Sequence, residues 1–229
     1  MRRENNVRWM ISIVLLLVSL TITAQKRFCR TYEDFIDNKW EELDSIHIKT
    51  HSKSHQMWWG GSDFAFTTGN KATDKLLKKE AFAITIDDTL YVNCRDLRFE
   101  GTRFGNGYVK ARRIGQRSLL IVNKIIGKKA AESEFVSAYM FGAIGGAISA
   151  SNHMKRHVCY IISHGINENG VIDLRLINDK LMEDMLKKDT DLCNKYYSEK
   201  DDKKRMKANH IVPILEQAGL FNQKHDSQN

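Results

Sequence analysis

The sequence predicts an α+β fold, and three observations carry the prediction. Short β-rich runs sit on either side of turn residues, as in Phe82 to Ile86 and Thr89 to Asn93 around Asp87-Asp88. Helical patterns gather at the two ends of the chain instead of alternating with the strands. The 229 residues are 42% hydrophobic with a single proline, an ordinary globular composition that excludes a disordered, collagen-like or low-complexity chain.

Met1 to Arg8 carries Arg2, Arg3 and Arg8 against Glu4, and Trp9 to Ile22 runs apolar before Thr23-Ala24-Gln25. A basic start, a short apolar core and a small residue before a polar stretch form a secretory signal, with cleavage expected after Ala24. The apolar run falls short of the ~20 residues a spanning helix needs. Removing residues 1–24 takes three arginines and one glutamate, leaving 33 basic and 27 acidic residues, net +6. Residues 25–220 are expected to form one domain, with 221–229 as a polar tail. The signal implies the periplasm, association with the outer membrane, or secretion.

Thr31, three residues before Asp34, opens a helix expected over roughly 31–44. Ile46 to Gly61 reads as polar and irregular, ending in Trp58-Trp59-Gly60-Gly61. The 81–94 hairpin follows, then paired strands at Tyr108–Ile114 and Ser118–Ile126. The Gly/Ala-rich apolar stretch Phe135–Ala150 reads as a helix. Beyond it, His157–Ser163 and Val171–Ile177 flank Asn169-Gly170, a hairpin signal. Asn178 caps a helix through Leu186. A second helix covers 191–198, and a third starts near Asp201, where Pro213 is expected to break or kink it and Gly219 to cap it.

Taken together, the strand Cys159–Ile162, Asn169 to Leu174, the helix Leu181–Leu186, Asp191-Leu192 with Tyr196-Tyr197, and a final helix resemble a family of small exported Gram-negative proteins of unknown function. The resemblance spans about residues 81–218. It implies an envelope protein of unassigned activity and carries over no catalytic residue.

Candidate chemistry is sparse. His47, His51 and His55 are spaced at four, with Lys49 and Lys53 between, and neutral imidazoles at that spacing suit zinc. A solvated polar loop explains the same residues, and so does a cationic face meeting anionic lipid. Gly101, Gly105 and Gly107 match no phosphate-binding pattern, and no G-x-S-x-G or H-E-x-x-H occurs. Cys159 beside His157 is a weak thiolate arrangement. The four cysteines (Cys29, Cys94, Cys159, Cys193) allow up to two disulfides or remain buried thiols. Lys203-Lys204-Arg205 reads as a solvated face, so no nucleic-acid partner is expected.

The sixteen uncharged residues 135–150 carry Gly142 and Gly146 at small-xxx-small spacing. They suit a buried helix, self-association or membrane contact. The sequence thus favours a non-catalytic binding or assembly module that engages an envelope or membrane partner. Its expected contact residues are Trp58, Trp59, Gly142 and Gly146. The alternative is a small metal-dependent hydrolase using the three histidines.

Overall fold

The computed structural model describes residues 25–51, 63–126 and 157–221. Residues 1–24, where the sequence suggests a signal, His55, Trp58, Trp59 and the stretch 135–150 with Gly142 and Gly146 lie outside the described residues.

The described chain is α+β. In order it forms β1 (Lys26–Cys29), α1 (Tyr32–Ile36), β2 (Glu41–Glu42), β3 (His47–Thr50), β4 (Phe64–Thr67), α2 (Lys71–Lys79), β5 (Ala83–Ile86), β6 (Thr89–Asn93), β7 (Leu97–Phe99) and β8 (Thr102–Arg103). There follow β9 (Tyr108–Ile114), β10 (Ser118–Asn123), β11 (Val158–Ile162), β12 (Ile172–Asp173), β13 (Arg175–Leu176), α3 (Asp179–Leu186), α4 (Thr190–Tyr196), α5 (Asp202–Arg205) and α6 (Ala208–Gln217). An antiparallel sheet runs in the order β13-β11-β10-β9-β6-β5-β1-β2, with the β3–β4 hairpin attached to β9. A small second sheet, β12-β7-β8, includes the parallel pair Ile172↔Leu97.

Strand alternation sends successive side chains to opposite faces of the large sheet, and both faces are covered. Cys29, Ala83, Val92, Val109, Leu119 and Tyr160 share one face with Tyr32 and Phe35 of α1 and Phe99 of the small sheet. On the other face Leu120, Cys159 and Ile161 pack under α3, α4 and α6. At its far end, Phe28, Ile84, Tyr91 and Tyr108 pack under Leu77 of α2 and the β3–β4 hairpin. Between these two covers Lys110 and Arg112 stand exposed on β9. Arg112 pairs with Glu216 at 2.6 Å and lies 3.6 Å over the Phe221 ring.

Several elements depart from expectation. The capping box of Thr31 and Asp34 forms, but α1 ends at Ile36. Asn38 turns left-handed (φ 57°), and Trp40 folds back edge-on to Phe35, so the chain can return as β2 beside β1. Part of the expected irregular stretch is β3, because Ile48 and Thr50 pair opposite Phe66 and Phe64. The strands on either side of Asn169-Gly170 pair antiparallel as expected, β11 with β13, but Asn169-Gly170 closes a small turn within a longer connection, Gly170 N–H to Asn167 C=O at 2.9 Å. Within that connection the chain pairs with β7 at Ile172 before β13 joins β11.

The expected third helix is two. After α5 the chain extends at Lys207, where it bridges Val158, and Ala208 N–H bonds the His157 carbonyl at 2.8 Å. Pro213 sits inside α6, whose Ile211, Val212, Ile214 and Leu215 are buried. That packing offsets the roughly 3 kcal/mol an interior proline costs. Phe221, expected to begin the polar tail, is buried and paired with Ile114. All four cysteines are free thiols. Burial pushes the Cys159 thiol up to about 12, so the thiolate suggested by its His157 neighbour does not form near neutral pH.

Candidate functional site

The two ends of the large sheet differ. At one end β2 is the exposed pair Glu41 and Glu42, and Glu41 bonds Arg30 at 2.6 Å. Charged, short edge strands of this kind resist further strand pairing. The other end, β13, opens onto a cleft of about 730 Å³.

The backbone register makes this edge available. Ile177 N–H bonds the Cys159 carbonyl at 2.9 Å, and Arg175 stands opposite Ile161. Antiparallel ladders alternate, so Leu176 opposite Tyr160 is the non-bonded position. Its N–H and C=O therefore point away from β11, toward the open edge.

Two neighbours shape the cleft. Phe99 and Glu100 come from β7 and its turn, with Leu174 anchored by an N–H bond to the Arg98 carbonyl at 2.7 Å. On the opposite side lie Lys180, Leu181 and Asp184 of α3, with Met206 behind. Asn178 caps α3 by accepting from Leu181 N–H at 3.0 Å, worth about 1 kcal/mol to the helix. The lining is thus apolar at Phe99, Leu174, Leu176, Leu181 and Met206. Charges of both signs, Glu100 and Asp184 against Arg175 and Lys180, form the rim.

A polar network fixes α3 in place. Arg205 is buried and donates through Nε and Nη2 to both Asp179 oxygens at 3.0 and 2.6 Å, and through Nη2 to Asp202 at 2.6 Å. Tyr196 donates to Asp179 at 2.7 Å, and Tyr197 donates to Glu183 at 2.5 Å. The hydrogen bonds from Arg205 hold the Asp179 carboxyl below its ordinary range. The acceptor Glu183 raises the Tyr197 phenol to about 12. These groups are consumed by joining α3, α4 and α5, which makes them positioning residues for the cleft wall.

His47 begins β3 and His51 follows its end. Extended backbone separates residues four apart by about 13 Å, so this pair does not converge on one ion as it would on a helix face. Among the described residues no group of three His, Cys, Asp or Glu side chains could hold a metal, and His55 lies outside them. No helix among them is long and apolar enough to cross a membrane.

The cleft residues escape sequence reasoning because Phe99 and Leu181 are far apart in the chain and meet only through the β7–β12 pairing. The Asn178 cap signal locates α3 but not what faces it.

Neither a curated protein nor a solved structure matches this sequence. A family model described as a family of unknown function (DUF6563) matches residues 27–222, and the chain belongs to that family.

Proposed function

We propose that the protein is an exported, non-catalytic binding module of the cell envelope that captures an extended polypeptide segment of a partner along β13. The observation that carries this reading is the cleft beside the open sheet edge, where the Leu176 N–H and C=O point outward above an apolar floor. Main-chain pairing at such an edge supplies affinity, and pockets for alternate side chains supply specificity. The mixed-sign rim favours a segment with an apolar residue flanked by charges of both signs. The basic start and short apolar run of residues 1–22 support export.

A photoreactive side chain at Lys180, inside the cleft, tests the reading in cells against the same probe at Lys187, beyond the end of α3. Capture of one discrete polypeptide segment from position 180 and not from 187 is expected. Equal capture from both positions, or none from 180, contradicts it.

A further inference from the structure

A second surface lies at the other end of the molecule. In α2, Lys71, Lys75 and Lys78 recur at i, i+4 and i+7, with Lys79 beside them, all exposed. Leu77, on the opposite side of the helix, is 1% exposed in the core beneath. Helical periodicity thus aims the lysines away from the sheet. The neighbouring hairpin belongs to the same cover. On β3, Lys49 alternates with Ile48, whose partner Phe66 packs toward Tyr91, so Lys49 projects from the outer side.

The two acids of α2 and its end are held by other groups. Asp74 accepts from Thr67 Oγ1 at 2.6 Å and from Thr68 N–H at 2.6 Å, closing the loop that precedes α2. Glu80 pairs with Arg30. None of Lys49, Lys71, Lys75, Lys78 and Lys79 has an ion-pair partner among the described residues. These five ammonium groups outnumber the one carboxylate within α2, Asp74, and leave a local positive field on this cover.

We infer that this face docks on an anionic bilayer surface, with the ammonium groups meeting lipid phosphates. Lysine suits such a surface because its compact charge on a flexible stem needs no fixed ligand geometry. Near an anionic leaflet each lysine contributes about 1 kcal/mol. The envelope reading above supplies the setting for this contact, but the contact itself is tested separately from it.

The experiment is co-sedimentation of the full chain with mixed phosphatidylglycerol–phosphatidylcholine vesicles and with pure phosphatidylcholine vesicles. The expected result is binding that requires phosphatidylglycerol and is lost at about 0.5 M salt, where screening shortens to about 4 Å. Changing Lys71, Lys75 and Lys78 to Gln should weaken it on the order of a hundredfold. Glutamine keeps the helix propensity of lysine, so α2 persists. The control K187Q/K188Q/K200Q removes the same charge from exposed positions in the connections between the C-terminal helices and should bind like wild type. Equal binding to both vesicle types, no binding, or equal weakening by both triple variants overturns the inference. Any of those results leaves the β13 cleft standing, since capture from Lys180 reads a different surface.

Discussion

Tyr160→Ala is expected to destabilise the protein by about 4 kcal/mol, read as a lower urea midpoint at unchanged m-value. Tyr160 is fully buried at the centre of β11. Its ring stands edge-on to Phe99 at 5.2 Å and to Phe104 at 5.4 Å, contacts that tie the small sheet to the large one. Its hydroxyl donates to the Lys124 carbonyl at 3.1 Å and accepts from Ile126 N–H at 3.1 Å. Alanine leaves a cavity and removes the partners of both backbone groups. Tyr160→Phe keeps the ring and is expected to cost only about 1 to 1.5 kcal/mol. With whole-domain stabilities of about 5–15 kcal/mol, the alanine variant retains a small margin. Because Phe99 forms one wall of the cleft, the same substitution loosens that wall.

Arg205→Met is expected to cost about 3 kcal/mol at neutral pH, the low end for breaking a buried pair. The low end applies because the Arg205 side chain is 8% exposed while that of Asp179 is 40%, so the stranded carboxylate keeps some water. Asp202, at 80%, contributes little. The pH dependence follows from the direction of the Asp179 shift. Its carboxyl is held below the ordinary value by Arg205, so the folded state binds fewer protons than the unfolded state as pH falls through the carboxylate range. The stabilisation is therefore complete above about pH 5 and lost as pH drops below about 4. Denaturation curves of wild type and R205M should lie far apart at pH 7 and converge in acid. A gap that stays constant with pH contradicts the role assigned to this pair.

Local chemistry was legible in the sequence, and long-range pairing was not. The Thr31–Asp34 capping box, the Asp87-Asp88 hairpin, the Asn178 cap and the Gly219 stop all work within a few residues, and each forms as its local pattern implies. The misreadings arise where tertiary contacts override local signals. Helix α1 stops short where Asn38 turns left-handed and Trp40 folds back against Phe35. Asn169-Gly170 carries a hairpin signal and β11 and β13 do pair across it, but the connection is longer than a tight hairpin and holds Ile172 on β7, 75 residues earlier in the chain. Pro213 is accommodated because one face of α6 is almost wholly buried. The candidate site shows the same limit. Its wall residues become neighbours only after the β12–β7 pairing, and a backbone edge such as that of Leu176 leaves no mark in residue identity.

Backbone hydrogen exchange is the most direct test of capture at this edge. The segment captured from position 180 would be supplied as a synthetic peptide, and the Leu176 and Ile177 amides compared with and without it. Pairing along β13 predicts that Leu176 exchange slows at least tenfold while Ile177, already bonded to the Cys159 carbonyl, changes little. If the peptide binds and the Leu176 amide exchanges as fast as before, β13 is not the strand that receives the partner.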